Sequence, residues 1–265
     1  MTITESWVER RGADRPAKMA PEEWALRCQL ADCYNLFHHL GWSEGIFNHI
    51  TVRLPGPDRH YLLNPYGFTY EEVTPENLVK VDVHGKALTP SPHGLNPASF
   101  IIHGAIHEAR EDAHCVIHVH TTEAVAIACK EAGLSYDNFY GVQLYGRVAY
   151  HDFEGITVFA DEQPRMVKNL GDKDILILRN HGLLVVGPDI PKAFYLLWTL
   201  QRACEVQTVT ASLAGPDIKL EGSIIARSAE ACTMYEDQHT AQLIFDAMVR
   251  RMRRETPVQN RWTNQ

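Results

Sequence analysis

The chain has 265 residues, of which 45% are apolar and 22% are charged, a composition that indicates a globular protein and excludes general disorder. The 33 acidic residues outnumber the 25 basic ones and give a formal net charge of −8, which argues against nucleic acids and anionic membranes as partners. We expect neither a membrane-spanning helix nor a secretory signal. The six cysteines form no CxxC pair, so we expect a cytoplasmic protein with reduced thiols.

The first part of the chain predicts an arm, a helix and two hairpins. Residues 1–20 are polar and predict a flexible N-terminal arm. Apolar residues at helical spacing predict a helix from Pro21 to Gly41. Short apolar runs with turn residues between them predict a hairpin over 49–56 and 60–67, and a helical turn followed by another hairpin over 76–88.

The second part of the chain alternates helices and strands. Asn96 and Pro97 predict the start of a helix that reaches about Arg110. Residues 114–121 predict a strand and the segment after them a helix that ends at Gly133, while 174–187 predict two central strands. Long helices are predicted from Pro191 onward and over 228–254. We therefore predict an α/β fold in one domain over 21–265, a sandwich with a largely antiparallel sheet.

The strongest chemical signal is a pair of histidines two residues apart on a predicted strand. His118 and His120 share one face because side chains alternate along a strand. Two core histidines that only satisfy hydrogen bonds would explain this pair equally well. His181 adds a third imidazole in the polar turn 179–182 between apolar strands. Three protein ligands leave one or two positions open for water or substrate, so the pattern predicts a catalytic divalent-metal site.

Several segments, which cover roughly residues 24–210, resemble the class II aldolase/adducin family: NHITVRLPG, LLNPYGF, LVKVD, IIHGAIHEAR, CVIHVHT, GRVAYHDFEG and ILRNHGLLVVG. The resemblance implies a three-layer αβα sandwich around an antiparallel sheet and homo-oligomers, typically tetramers. It also implies one divalent ion per subunit, zinc, held by His118, His120 and His181. Imidazole nitrogens suit manganese and iron as well, so these two ions are the alternatives.

The sequence departs from the sugar-phosphate aldolases of this family. Ser99 stands where those enzymes carry an acid/base glutamate, 19 residues before His118, and a serine hydroxyl is a poor general base. The loop Asn64-Pro65-Tyr66-Gly67 lacks their phosphate-binding serines. These changes argue against a phosphorylated substrate, and adducin-type members, whose heads are considered non-catalytic, share them.

Eight further residues are candidates for the site. Three could transfer protons in place of the glutamate: Tyr140, His103 and Ser99. Five could bind substrate: Asn48, Asn64, Tyr66, Gly67 and Arg179. The guanidinium of Arg179 suits a carboxylate, but a salt bridge at the strand end would explain it equally well.

Three functions remain open on the sequence. The first is a metal-dependent carbon–carbon lyase, a decarboxylase or aldolase-like enzyme that acts through a metal-stabilised enolate on a small 2-oxo, 2-hydroxy or aromatic acid. The second is a non-haem iron oxygenase acting on a phenolic or 2-oxo acid. The third is a non-catalytic adducin-like module that oligomerises and binds protein partners.

Overall fold

The structure is a computed structural model that describes residues 15–236 and 239–255, with the backbone alone for 234–236. Most of the predicted N-terminal arm therefore lies outside the described residues. The strands are β1 His49–Arg53, β2 Tyr61–Leu63, β3 Val79–Val81, β4 Cys115–Val119, β5 Val148–His151, β6 Ile175–Leu178 and β7 Gly182–Gly187. The helices are α1 Pro21–His39, α2 at residues 97–109, α3 Thr122–Ala128, α4 Gln163–Leu170, α5 Ile190–Ala211, α6 Gly222–Glu236 and α7 Thr240–Glu255.

The strands form one seven-stranded sheet in the order β3-β2-β1-β4-β7-β6-β5. All neighbouring pairs are antiparallel except β5 and β6, which are parallel. Both predicted hairpins that flank the site are present, β1–β2 and β6–β7. In the centre, β1 and β4 pair with His49 opposite His118. This register fixes which side chains surround the predicted metal site.

Helices cover both faces of the sheet. Helices α1, α3, α5 and α7 bury one face, where Ile50, Ile117 and Leu183 contribute to the larger apolar core. Helices α2 and α4 cover the opposite face through Ile102, Met166 and their neighbours. The predicted αβα sandwich is therefore confirmed, and its site-bearing face is the one beneath α2.

Helix α2 contains one irregular turn. It is α-helical at Pro97–Ser99 and at Ala105–Ala109, but the intervening segment Phe100–Gly104 is π-helical. Asn96 caps its start by accepting a hydrogen bond from the Ala98 amide, as predicted. A π-turn inserts one extra residue into a helix and often occurs at functional sites.

The predicted helix over 228–254 is wrong. Two helices, α6 and α7, occupy this part of the chain. Before α7 the backbone of His239 adopts a left-handed conformation with φ of 60°, which an α-helix cannot contain. None of the described helices combines the length and the apolarity needed to cross a membrane.

Candidate metal centre

His118 lies near the end of β4 and its ring is almost fully buried. Its Nδ1 is 2.9 Å from the carbonyl oxygen of Leu183 on the neighbouring strand β7. A carbonyl oxygen only accepts hydrogen bonds, so Nδ1 carries the proton and Nε2 of the neutral ring keeps its lone pair. A hydrogen bond of this kind is typical of metal-binding histidines, because it fixes both the tautomer and the ring orientation.

His120 follows β4 directly and places its Nε2 2.8 Å from Nε2 of His118. Its position depends on Gly182 at the start of β7. A Cβ atom at residue 182 would lie 2.4 Å from the carbonyl oxygen of Val119 and 2.9 Å from Cδ2 of His120. Only glycine therefore lets β7 approach β4 at this point, because any other residue would displace the strand or the imidazole.

His181 is supplied by the turn between β6 and β7. The turn is closed by a hydrogen bond from the His181 amide to the Leu178 carbonyl, and Asn180 adopts a left-handed φ of 56°. Asparagine tolerates this conformation better than most residues. The His181 ring centroid lies 4.8 Å from that of His118 and 4.9 Å from that of His120.

Together the three histidines can hold one ion. Their ligand atoms all lie within 4.8 Å of one another. A tetrahedral zinc ion with Zn–N bonds of about 2.0–2.1 Å separates its nitrogen ligands by about 3.4 Å, which lies inside the range that these nitrogens span. Three neutral imidazoles, one of them held by a backbone carbonyl, form a donor set suited to Zn²⁺, Mn²⁺ or Fe²⁺.

Burial keeps these imidazoles neutral. Desolvation is the main cause that lowers the pKa of His181 to about 4, and the neighbouring His120 is the second cause. Burial also places the pKa of His118 well below its usual range. Burial lowers the pKa of His120 as well, although the carboxylate of Glu44 acts in the opposite direction. Neutral imidazoles are the form that binds metal, so the site needs little or no deprotonation at neutral pH.

Asn48 is an unusual residue at the start of β1. It precedes β1, has a positive φ of 65°, and the register between β1 and β4 places it beside Val119. Its side chain is buried, yet neither Oδ1 nor Nδ2 has a hydrogen-bond partner among the described residues. A buried amide without partners is costly, which makes Asn48 a candidate for binding a ligand.

The loop 64–67 lies at the same edge of the sheet. Asn64 follows β2 and is buried, with its Oδ1 2.9 Å from the hydroxyl of Tyr34. Tyr66 is exposed, and Gly67 has a positive φ of 91°. The structure therefore commits Asn64 to a hydrogen bond inside the fold and leaves Tyr66 accessible, while their predicted roles in substrate binding stay predictions.

Ser99 is buried at the start of α2, one turn before His103. Its hydroxyl donates a hydrogen bond to the carbonyl of Asn96 over 2.6 Å. This bond uses the only proton of the hydroxyl, and no base is among its described partners. The position that carries the glutamate in sugar-phosphate aldolases is thus bonded to the first turn of α2 here, and its predicted catalytic role has no support from these contacts.

Arg179 and Tyr140 lie elsewhere than the sequence suggested. The guanidinium of Arg179 donates to the carbonyls of Lys130 and Glu131, and it stacks 4.3 Å from the centroid of the Tyr150 ring. Arg179 therefore satisfies two backbone carbonyl groups in the segment after α3, and none of these contacts involves the three histidines.

Tyr140 contacts Trp198 and Arg202 on α5 and packs against the core on the opposite face of the sheet from His118. Within one chain, the structure does not bring Tyr140 to the three histidines. Its predicted role as a proton donor has no support from these contacts.

Four buried groups beside the site were not predicted as a set: His49 and Thr51 on β1, and His103 and His107 on α2. Each is at most 2% exposed, and hydrogen bonds of 2.7 to 2.9 Å join them in one line. The alternation of polar and apolar residues in β1 was the available signal, but such a pattern usually marks a solvated face. Helix α2 covers that face and converts it into a polar interior.

The fold and the site define an αβα protein with a three-histidine centre where the central strands β4 and β7 meet, at the end of β4 and the start of β7. The sequence model described as "Class II Aldolase and Adducin N-terminal domain" matches residues 28–208. The chain therefore belongs to the class II aldolase and adducin family, which confirms the resemblance seen in the sequence.

Two of the relatives are a bacterial protein and an animal adducin. A Pseudomonas aeruginosa protein named provisionally as a class 2 aldolase is 38% identical over 248 residues, which cover 92% of this chain and 95% of the relative. Alpha-adducin of Rattus norvegicus is 44% identical over 211 residues, which cover 78% of this chain and 28% of the relative.

Solved structures show the same fold. An aldolase II superfamily protein from Pseudomonas syringae superimposes with a TM-score of 0.87 at 34% identity and covers 93% of this chain and 98% of its own. L-fuculose 1-phosphate aldolase from Glaciozyma antarctica has a TM-score of 0.75 at 27% identity, with coverage of 88% and 93%.

Proposed function

We propose that the protein is a divalent-metal-dependent carbon–carbon lyase that acts on a small 2-oxo, 2-hydroxy or aromatic acid. The observation that carries this proposal is the convergence of the ligand atoms of His118, His120 and His181 within 4.8 Å of one another. The kinship with L-fuculose 1-phosphate aldolase supports a lyase in general terms. Zinc is the first candidate for the ion, and manganese and iron are the alternatives.

The three histidines would hold the ion, and the residues around them would bind and orient the substrate. When bound, the ion supplies a Lewis acid for a carbonyl or carboxylate oxygen of the substrate. The buried amide of Asn48 offers a donor and an acceptor without competing partners. A substrate that satisfies both groups would remove the penalty for burying them, so Asn48 would favour the bound state.

The surroundings of Ser99 favour decarboxylation over aldol cleavage. Aldol cleavage requires a base that removes a hydroxyl proton, and the Ser99 hydroxyl is instead a donor to the Asn96 carbonyl. Loss of carbon dioxide leaves an enolate without that proton transfer when the departing carboxylate lies β to a carbonyl group of the acid. The absent phosphate-binding serines in the loop 64–67 further favour an unphosphorylated acid.

A second candidate is a non-catalytic module that forms oligomers and binds protein partners. The identity of 44% to alpha-adducin favours it. The two candidates differ in one respect that can be measured: the lyase needs an ion at its three histidines, whereas an interaction module does not.

The experiment is elemental analysis of untagged protein purified without chelator, compared with the double variant His118→Ala/His120→Ala. We expect about one equivalent of zinc or manganese per chain in the native protein, and less than a tenth of that in the variant, because two of three ligands are lost. The matched control is His84→Ala/His93→Ala, which removes two exposed histidines and should retain the metal.

Each outcome assigns a function. Zinc or manganese bound through the histidines supports the lyase and calls for assays of carbon dioxide release from 2-oxo, 2-hydroxy and aromatic acids. Iron bound there favours the oxygenase and calls for an oxygen-uptake assay. Protein that takes up no metal even from excess ion contradicts both enzymes and leaves the interaction module.

A further inference from the structure

Four hydrogen bonds connect the backbone carbonyl of Ala113 to His49, which lies beside the metal centre. Nδ1 of His107 lies 2.8 Å from the Ala113 carbonyl oxygen, and its Nε2 lies 2.7 Å from the Thr51 hydroxyl. The same hydroxyl lies 2.8 Å from Nδ1 of His103, whose Nε2 lies 2.9 Å from Nδ1 of His49. We call these four side chains the histidine chain.

The Ala113 carbonyl determines where every proton of the histidine chain resides. Because the carbonyl only accepts, His107 carries its proton on Nδ1 and accepts at Nε2 from the Thr51 hydroxyl. The hydroxyl has one proton, so it must accept from Nδ1–H of His103. Nε2 of His103 is then an acceptor, and it receives Nδ1–H of His49. This sequence leaves Nε2 of His49 as a bare lone pair.

Burial supports this assignment, because it keeps the rings of His103 and His107 neutral. Desolvation lowers the pKa of His107 to about 3, and it lowers the pKa of His103 well below its usual range. A neutral imidazole has one donor and one acceptor nitrogen, so fixing one nitrogen fixes the other.

The histidine chain ends at the metal centre. His49 pairs directly with His118 across β1 and β4, and their ring centroids lie 5.3 Å apart. Among the described contacts, Nε2 of His49 has no hydrogen-bond donor. An acceptor with a fixed tautomer therefore stands next to a metal ligand, in a centre where the glutamate of related aldolases is replaced by Ser99.

We propose that the histidine chain makes His49 a fixed hydrogen-bond acceptor at the metal centre and thereby selects 2-hydroxy acids over 2-oxo acids. The inference rests on the proposed function and narrows its substrate class. A 2-hydroxy group can donate its proton to Nε2 of His49, whereas a 2-oxo group would bring its own lone pairs against that nitrogen. Thr51 acts as a positioning residue, because its hydroxyl transmits the orientation from His107 to His103.

The test compares native protein with Thr51→Val, which has a similar shape but lacks the hydroxyl, and with Thr51→Ser, which restores it. Each protein is loaded with Co²⁺, and the dissociation constants of lactate and pyruvate are measured from the visible spectrum. These acids differ only in the hydroxyl and carbonyl groups at carbon 2. Cobalt content is measured in every sample, so that a loss of metal cannot be mistaken for a loss of selectivity.

We expect the native protein and Thr51→Ser to bind lactate more tightly than pyruvate. In Thr51→Val the ratio of the two affinities should fall about three- to tenfold, the range expected for one hydrogen bond. Neutron diffraction from native crystals provides a second measurement that needs no variant. It should locate deuterium on Nδ1 of His49, His103 and His107 and none on Nε2 of His49.

An unchanged affinity ratio in cobalt-loaded Thr51→Val would overturn this inference alone, and so would deuterium on Nε2 of native His49. Native protein that binds no cobalt would overturn the proposed function together with the inference. The two failures are therefore distinguishable.

Discussion

Strands β1 and β4 have two faces of opposite character, and their comparison separates stability from chemistry. On one face, Ile50, Val52, Ile117 and Val119 pack into the apolar core beneath α1 and α5. On the other face, the residues of the same two strands are His49, Thr51, Arg53, Val116 and His118. Both faces are equally buried, so exposure to water does not explain the difference.

The apolar face stabilises the fold through burial alone, which tolerates many hydrophobic sequences. The polar face works differently, since each of its buried groups requires a partner of the right kind at the right distance. Such a network contributes little net stability, and removing one member is costly. The comparison therefore indicates that the polar face is retained for the site that it borders.

The largest expected effect is the response of the polar face to acid. His103 and His107 bind protons in the unfolded chain below pH about 6.5 but remain neutral when folded, because burial lowers the pKa of His103 well below its usual range and that of His107 to about 3. The unfolded state thus binds more protons between these values, so the free energy of unfolding falls as the pH falls.

At about 1.4 kcal/mol per histidine and pH unit, His107 alone should remove about 2.5 kcal/mol between pH 6 and pH 4, and His103 should add to this loss. Urea unfolding of metal-free protein at several pH values measures this loss. His107→Gln should lessen the loss by about 2.5 kcal/mol, because the other buried histidines, such as His103 and His49, still contribute. A pH dependence that His107→Gln leaves unchanged would contradict the assignment.

A somewhat smaller loss of stability is expected from a substitution of Gly182, where the start of β7 approaches the end of β4. Gly182→Ala places a Cβ atom 2.4 Å from the Val119 carbonyl oxygen, so β7 or His120 must move. We expect a loss of about 3 kcal/mol in stability and at least tenfold weaker zinc binding, measured by unfolding and by competition with a chromophoric chelator. Gly94→Ala is the control, because it meets open space without a positive φ, and it should change neither. Full zinc affinity in Gly182→Ala would show that His120 does not depend on this close approach.

The smallest effect concerns the apolar face. Ile50→Val removes one methyl group from the larger core and should cost about 1 kcal/mol of unfolding free energy. Its zinc affinity should equal that of the native protein, because the deleted group points away from His49 and His118. A weakened zinc site in this variant would show that the two faces are coupled, and the comparison between them would fail.

The parts of the site that depend on short-range geometry were predictable from sequence. The alternation of side chains along a strand places His118 and His120 together, and this feature rests on spacing within a few residues, where backbone geometry leaves few alternatives. His181 joins them through the pairing of β4 with β7, which the family resemblance implied and the local pattern did not. The αβα sandwich was predictable for a similar reason, since the order of elements limits the possible architectures.

The parts that depend on long-range packing were not predictable. Nothing in the alternation of β1 indicates that α2 covers its polar residues, so the link from Thr51 to His103 and His107 was missed. Arg179 satisfies carbonyls after α3, which no local pattern reveals. The interruption between α6 and α7 is marked by the positive φ of His239, and the sequence has neither glycine nor proline at 237–239 to announce it.

The histidine chain also has an electrical polarity. Every hydrogen bond in it donates in the same direction, from His49 toward the Ala113 carbonyl. The bond dipoles therefore add, as peptide dipoles do along a helix, and aligned hydrogen bonds strengthen one another in a medium of low dielectric constant. The negative end of this array is Nε2 of His49, opposite His118. A centre whose three histidines carry no charge thus has a source of negative potential beside it that involves no carboxylate and survives changes of pH as long as the rings stay neutral.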